Sequence, residues 1–330
     1  MRSPAHDEEA GARMRPVMMD TLGVRGAGII AVVAAFLVGD WCCAAQAPHA
    51  WDAAVTDAAH MAPDARIVVL DSATGRLLAS SHLAEAARTL AYPGSAMKPL
   101  VLYGLVAAGR WDPRRRIACT RKLSIAGHTL NCPHPAADPM DARRALAWSC
   151  NTYFAAVGAT LEAGQLRSLL APTGLLGQTG LASGLAGGEA TADFRDPKTR
   201  DENQLAVLGV SDVRVTPLEF AVAYRWLALQ VAAHPDSMAA QVVRQGMEDS
   251  ASFGMAGAAD LGGVAVAGKT GTAGNEIDGR GRTHGWFVCM APAKEARVII
   301  VVYVPAGHGN DAAQVAGDLL AHSPLRLRQP

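Results

Sequence analysis

Two predicted β-hairpins near opposite ends of the chain constrain its fold more than any other feature of the sequence. The first joins an apolar run at 67–70 to the mostly apolar segment 76–79 through a polar turn that ends in glycine. The second joins the mostly apolar segments 285–290 and 297–304 through a stretch that contains a proline. We interpret the two hairpins as the halves of one antiparallel sheet, so both ends of the chain contribute to it.

Helical patterns fill most of the interval between the hairpins. Ala-rich and Leu-rich segments with helical spacing predict helices at 99–108, 142–148, 152–162, 165–170 and 217–229, and a closing helix at 311–321. Thr216 is the predicted N-cap of the 217–229 helix, with Pro217 at the first helical position. The Gly-rich stretch 180–188 lacks the Gly-Lys-Ser/Thr ending of a phosphate-binding loop, so we interpret it as a surface loop.

Composition and charge narrow the function classes. The 330 residues include 30 Lys and Arg and 30 Asp and Glu, so the formal net charge is zero. Such a balance does not indicate a nucleic-acid partner, which is bound by clustered positive charge. The length allows a substantial core, and we expect a small-molecule or peptide-like substrate.

The N-terminal region has the pattern of an export signal. Arginines precede an apolar run at 26–38, and Ala45-Gln46-Ala47 provides a small-x-small cleavage pattern. The run is about 13 residues long, whereas a spanning helix needs about 20, so we favour a cleaved signal at 1–47 over a retained membrane anchor. Both alternatives place the protein in the periplasm or at the outer face of the cytoplasmic membrane. Residues 48–63 are Ala-rich and without a clear pattern, which favours a linker to a single domain at 64–330.

Three short motifs in a fixed order indicate one acyl-transfer site. They are Ser95-Ala96-Met97-Lys98, Ser149-Cys150-Asn151 and Lys269-Thr270-Gly271-Thr272. Each motif alone arises by chance in many proteins, and each has a structural explanation as a helix cap, a turn or a strand end. The ordered combination is much rarer, which indicates that the three motifs act together.

The first motif supplies a nucleophile and a base. A serine hydroxyl is a poor nucleophile near neutral pH unless a base accepts its proton. On a helix that begins near Ser95, the i,i+3 spacing places Ser95 and Lys98 on one face, one turn apart. Lys98 acts as a base only if its pKa is lowered, and burial and the charge of Lys269 would both lower it.

The other two motifs supply groups that move protons and bind substrate. Ser149 can relay a proton between the base and a leaving nitrogen, and the Asn151 amide can hold both the base and a substrate carbonyl. Lys269 attracts a substrate carboxylate, to which Thr270 can donate a hydrogen bond. Gly271, if it lies on an edge strand, lets a substrate backbone approach closely.

Four segments resemble the penicillin-binding transpeptidases. They are 92–98 (YPGSAMK), 149–154 (SCNTYF), 215–218 (VTPL) and 267–273 (AGKTGTA). Penicillin-binding proteins carry Ser-x-x-Lys, Ser-Asp-Asn and Lys-Thr-Gly motifs, and here Cys150 replaces the middle residue of the second motif. The resemblance implies an α+β sandwich, in which a five-stranded antiparallel sheet is flanked by helices and adjoined by an all-helical subdomain. It also implies an oxyanion hole at the backbone N–H groups of Ser95 and Thr272.

The same resemblance implies a D,D-transpeptidase that acts on peptidoglycan stem peptides through an acyl-serine intermediate. β-Lactams would then be covalent inhibitors, no cofactor would be needed, and membrane-anchored cell-wall synthesis proteins would be possible partners. A D,D-carboxypeptidase or a serine β-lactamase on the same fold is the alternative, with Glu202 as the candidate to activate water in a β-lactamase. A non-catalytic β-lactam or muropeptide sensor is the alternative from a different class.

Four cysteines lie in the predicted domain. An exported compartment permits disulfides, and Cys119 and Cys132 are the natural pair because they bracket a hairpin-like stretch. The alternative is a zinc site, because thiolate and imidazole are the ligands that zinc prefers. Its candidate ligands are Cys119, His128, Cys132, His134 and Cys150. Cys289 lies in a predicted strand and is expected in the core.

Overall fold

Five antiparallel strands form the central sheet, and its order joins the two ends of the chain. In chain order the strands are β1 (Arg66–Asp71), β2 (Leu77–Ser80), β7 (Ala267–Gly274), β8 (Thr283–Ala291) and β9 (Val298–Val304). Their spatial order is β2-β1-β9-β8-β7, so β1 of the first hairpin pairs with β9 of the second. Both predicted hairpins and their association in one sheet are confirmed. Strand β7, which carries the third motif, lies at the sheet edge.

The computed structural model describes residues 49–135, 138–274 and 282–326. The predicted export signal at 1–47 therefore lies outside the described residues. Within the described part of the chain, no helix is both long enough and apolar enough to cross a bilayer.

Ten α-helices are found among the described residues. They are α1 (His49–Met61), α2 (Leu83–Ala86), α3 (Lys98–Ala107), α4 (Ala142–Ala147), α5 (Asn151–Gly158), α6 (Gln165–Leu170), α7 (Arg200–Val207), α8 (Pro217–Ala233), α9 (Met238–Ser252) and α10 (Gly309–Ala321). All six predicted helices are present, and Thr216 caps α8 in a capping box with Glu219. Helices α1, α2, α7 and α9 were not predicted. The stretch 180–188 contains only turns and irregular backbone, as expected for a loop.

The linker predicted at 48–63 is wrong over most of its length, because residues 49–61 form α1. Its buried side chains are Trp51, Ala54, Val55 and Ala58, and they pack in one cluster with residues of α10. This is the i, i+3, i+4, i+7 spacing of an amphipathic helix. The pattern was present in the sequence, but two of its four members are alanines among neighbouring alanines and polar residues, which made it inconspicuous.

The sheet is buried on both faces, which confirms the sandwich architecture. Along β1, Val68 and Leu70 pack into a core with the helices α3 to α9, whereas Ile67 and Val69 pack into a second core with α1 and α10. Alternation of this kind follows from the two-residue period of a strand.

Two pairs of short strands lie outside the sheet. They are β3 (Ser124–Ile125) with β4 (His128–Thr129), and β5 (Asp193–Phe194) with β6 (Val213–Arg214).

Candidate active site

Ser95 lies in a 3₁₀ turn, Gly94–Met97, and Lys98 is the first residue of α3. The sequence predicted an α-helix beginning near Ser95, but the backbone at Ser95 is wound more tightly, as a 3₁₀ turn, and the α-helix begins at Lys98. In a 3₁₀ turn, side chains at i and i+3 eclipse one another. The Ser-x-x-Lys spacing therefore places Ser95 and Lys98 on one side of the turn, with Ser95 half-buried and Lys98 fully buried.

Buried side chains from distant elements hold the backbone of this turn. The Tyr224 hydroxyl on α8 donates to Ala96 O at 2.7 Å. From β8, His284 Nε2 and Trp286 Nε1 both donate to Tyr92 O, at 2.8 and 2.9 Å. Sequence analysis missed these three side chains. They belong to no motif, and only the folded chain brings them to the turn.

The Lys98 ammonium is surrounded by acceptors from the second motif. Its Nζ donates to Asn151 Oδ1 at 2.7 Å, to Ser149 O at 2.9 Å and to Ser149 Oγ at 3.3 Å. It also lies 5.2 Å from the centre of the Phe154 ring. Burial lowers the pKa of Lys98 to about 7, because desolvation disfavours the charged form, while nearby Cys150 and Cys132 act in the opposite direction.

Lys269 approaches the same serine from the sheet. Its Nζ donates to Ser149 Oγ at 2.9 Å and to Thr270 O at 2.9 Å. Burial lowers the pKa of Lys269 well below its usual value, and the nearby charge of Lys98 lowers it further. The two fully buried lysines thus meet at one hydroxyl.

Ser149 adopts a backbone conformation that non-glycine residues rarely take. Its φ is 55°, in the left-handed region, where a residue with a side chain stores of order 1–3 kcal/mol of strain. Asn151 is the first residue of α5. The residue with this strained backbone therefore bonds to both lysines and lies two positions before the first residue of α5.

Strand β7 lies against the Ser95 turn, and Gly271 makes this possible. A Cβ at Gly271 would lie 2.2 Å from Pro93 O and 3.0 Å from Ala96 N. Further along the strand, Thr272 is exposed, and its Oγ1 accepts a hydrogen bond from Gly309 N at 2.8 Å. Thr270 is buried. The structure therefore brings the third motif beside the first, and the roles of Thr270, Gly271 and Thr272 toward a substrate stay predictions.

The cysteines do not form the predicted pair. Cys119 and Cys132 are not bonded to each other in this structure, and both lie in a common cluster with His134 and Cys150. Four of the five candidate metal ligands are thus brought together, and His128 is not among them. Cys289 is fully buried in the second core, as expected.

Glu202 has a structural role in this fold. Its carboxylate accepts hydrogen bonds from the backbone N–H groups of Lys198 and Thr199, and Thr199 caps α7 in return. These backbone hydrogen bonds lower the pKa of the carboxyl group. A carboxylate that closes a capping box in this way is already occupied by the helix terminus.

The sequence profile of one family, described as penicillin binding protein transpeptidase domain, matches residues 65–322. Among curated proteins, the chain is similar to the probable peptidoglycan D,D-transpeptidases PenA of Neisseria meningitidis and Neisseria gonorrhoeae. It is 26% identical to each, and the match covers 78% of this chain and 50% of the relative. The chain thus spans about half the length of the curated relatives it matches.

Two solved structures have the same fold. The transpeptidase domain of Burkholderia pseudomallei penicillin-binding protein 3 matches with a TM-score of 0.72 and 22% identity, over 86% of this chain and 95% of that domain. Penicillin-binding protein A of M. tuberculosis, solved as a ceftriaxone acyl-enzyme complex, matches with a TM-score of 0.69 and 20% identity, over 83% of this chain and 78% of that one.

Proposed function

This chain belongs to the penicillin-binding protein transpeptidase family, and we propose that it is a serine D,D-transpeptidase that acts on peptidoglycan stem peptides through an acyl-Ser95 intermediate. One observation carries the proposal: the Ser149 hydroxyl accepts hydrogen bonds from both Lys98 and Lys269, which lie in one buried site beside the Ser95 turn. Burying two lysine side chains around one hydroxyl costs desolvation free energy, and a role in proton transfer explains why the fold keeps them there.

Acylation begins with the Lys98 amine in its neutral form. With a pKa of about 7, a large share of Lys98 is neutral near neutral pH and can accept the proton of Ser95. The Ser95 oxygen then attacks the carbonyl carbon of the D-Ala-D-Ala peptide bond. A tetrahedral intermediate forms, with the negative charge on the former carbonyl oxygen.

Two backbone N–H groups are the proposed oxyanion hole, those of Ser95 and Thr272. The contact between their segments supports this assignment, because a Cβ added at Gly94 would lie only 2.8 Å from Thr272 N. The two donors therefore belong to segments in van der Waals contact. Loss of one donor of this kind typically costs about 10²–10³ in rate.

Collapse of the intermediate breaks the C–N bond and needs a proton on the leaving nitrogen. Ser149 is the proposed relay, because its Oγ is within hydrogen-bonding distance of the proton-bearing Lys98 Nζ and can donate its own proton onward. Lys269 completes the path by holding the same oxygen. The terminal D-Ala leaves as a free amine, and the stem peptide stays esterified to Ser95.

Substrate binding is assigned to the third motif. Strand β7 is an edge strand, so an extended peptide can add beside it through backbone hydrogen bonds. The Thr270 hydroxyl and the Lys269 charge would hold the terminal carboxylate, and the Asn151 amide would hold a substrate carbonyl. Gly271 serves mainly to bring this strand to the Ser95 turn.

Deacylation by an amine of a second stem peptide completes transpeptidation. Water in place of the amine would give a D,D-carboxypeptidase, and the same acylation with fast hydrolysis would give a β-lactamase. The capping role of Glu202 argues against this residue as a water-activating base. We propose that the protein works outside the cytoplasm, in the periplasm or at the outer face of the membrane, beside membrane-anchored cell-wall synthesis proteins.

Intact-mass spectrometry with benzylpenicillin tests the proposal. The wild-type chain should gain one stable penicilloyl adduct, whereas Ser95→Ala should gain none and Lys98→Met should react far more slowly. A folded wild-type chain that gains no adduct would overturn the assignment. An adduct that forms and disappears with turnover of the drug would replace the transpeptidase by a β-lactamase.

A further inference from the structure

A cluster of three cysteines and one histidine includes the middle residue of the second motif, Cys150. Its members are Cys119, Cys132, His134 and Cys150, and their sulfur and nitrogen atoms all lie within 4.8 Å of one another. Cys119 is half-buried and the other three are buried. None of the acyl-transfer steps uses these side chains.

Two distances inside the cluster fit a tetrahedral metal site. Around zinc, with Zn–S about 2.3 Å and Zn–N about 2.0–2.1 Å, two sulfur ligands lie about 3.8 Å apart and a sulfur and a nitrogen about 3.5 Å apart. Cys132 Sγ is 3.9 Å from Cys150 Sγ, and Cys119 Sγ is 3.5 Å from His134 Nε2. Both distances agree with edges of one tetrahedron.

The histidine is oriented as a metal ligand. His134 Nδ1 lies 2.7 Å from Pro135 O, and a carbonyl oxygen only accepts, so Nδ1 carries the proton. The lone pair is then on Nε2, which faces Cys119. Metal-bound histidines commonly donate their second ring N–H to a carbonyl in this way, which fixes the tautomer and the ring orientation.

Two of the sulfurs accept hydrogen bonds from backbone N–H groups. Arg121 N donates to Cys119 Sγ at 3.3 Å, and Asn151 N donates to Cys132 Sγ at 3.2 Å. The Thr152 hydroxyl lies 3.5 Å from Cys119 Sγ. Donors directed at sulfur stabilise thiolates, the form in which cysteine binds metal.

The segment that carries three of the ligands has little else to hold it. Between residues 119 and 135, the regular structure is β3 and β4, each two residues long. Ile125, Cys132 and His134 are the buried side chains of this stretch, so two of the three belong to the cluster. Small units with so few buried apolar groups usually depend on a metal or a disulfide.

We propose that Cys119, Cys132, His134 and Cys150 bind one structural Zn²⁺ ion. Three thiolates and one imidazole are a complete ligand set for tetrahedral zinc, with no position left open for catalysis. Because Cys150 lies between Ser149 and Asn151, the metal joins the 119–134 segment to the start of α5. The Asn151 amide strengthens the same connection by donating to Leu130 O at 3.1 Å.

Elemental analysis of the full-length chain, purified without a metal-affinity tag, tests the site. The wild type should hold about one zinc per chain, and Cys119→Ser and His134→Ala should hold several-fold less. His128→Ala is the matched control, because His128 lies on β4 of the same segment but outside the cluster. It should keep the wild-type zinc content.

Cobalt substitution gives a readout that does not depend on the variants. The apoprotein with Co²⁺ should show the strong visible absorption of a tetrahedral site and thiolate-to-cobalt charge-transfer bands. Their absence, or a reduced chain that holds no zinc after zinc supplementation and dialysis, would overturn the proposal.

A disulfide is the competing outcome, and mass spectrometry distinguishes it. A Cys132–Cys150 disulfide would lower the intact mass by two hydrogens and protect both thiols from alkylation, and its presence in the native chain would overturn the zinc site. The proposal does not rest on acyl transfer, since Ser95→Ala should bind zinc like the wild type. The two proposals can therefore fail separately.

Discussion

Substitution of Gly271 by alanine should slow acylation because it moves the Ser95 turn. The added Cβ would lie 2.2 Å from Pro93 O, whereas ordinary contacts begin near 3.4 Å, so strand and turn must separate by roughly 1 Å. A misplacement of about 1 Å in a preorganised site can cost about 10²-fold in rate. We therefore expect the acylation rate constant to fall about 100-fold, which corresponds to about 2.7 kcal/mol of activation free energy.

The same strand offers a matched control. Among the described residues, no atom beyond its chain neighbours lies within 4 Å of a Cβ added at Gly274, so Gly274→Ala should acylate at the wild-type rate. The assay is the second-order rate constant for labelling by a fluorescent penicillin, measured beside a thermal unfolding curve for each variant. Overpacking of this kind typically destabilises a protein by about 1–3 kcal/mol. A folded Gly271→Ala chain that reacts at the wild-type rate would refute the argument that this glycine sets the position of the turn.

Three further predictions address the base, the turn and the unexpected helix. The acylation rate should rise with pH through about 7 and level off above it, because Lys98 must lose its proton to act as the base. A stopped-flow series over this pH range checks it, and a rate that falls as the pH rises would contradict the assignment. Tyr224→Phe removes the hydroxyl that donates to Ala96 O. It should lower the free energy of unfolding, measured by urea denaturation, by about 1–3 kcal/mol. An unchanged denaturation midpoint would show that this hydrogen bond does not stabilise the fold. Trp51→Ala should lower the free energy of unfolding by about 3–5 kcal/mol in the same assay. Asp57→Ala, on the exposed face of α1, should change that free energy little. Equal effects of the two substitutions would show that the helix does not pack as described.

Local sequence patterns were enough for four of the five strands of the sheet and for six of the ten described helices. Strands β1 and β9 are short runs of branched apolar residues bounded by turn signals, and such runs specify strands without help from the rest of the chain. Helix α8 begins with Thr216 and Pro217, a start signal that is equally local. By contrast, α1 was missed because alanines in its apolar stripe differ little from their neighbours, so burial of its Trp51 is what makes the pattern visible.

The chemical identities of the site also follow from the sequence, since a serine, two lysines, a second serine and an asparagine recur in three motifs of characteristic spacing. Their mutual positions come from tertiary structure. Only folding places Lys269 and Lys98 at the same Ser149 oxygen, and only the surrounding core removes the water that would otherwise keep both amines fully charged.

The cysteines separate most clearly what the sequence determined from what the tertiary structure decided. The sequence determined which residues could bind a metal or form a disulfide, but spacing along the chain did not separate His134 from His128 or indicate that Cys150 would join Cys119 and Cys132. That choice depends on where α5 packs against the 119–135 loop, which is a long-range property. Motif chemistry is local because it resides in side-chain types, whereas pKa values, close backbone approaches and ligand clusters depend on what the rest of the fold places beside them.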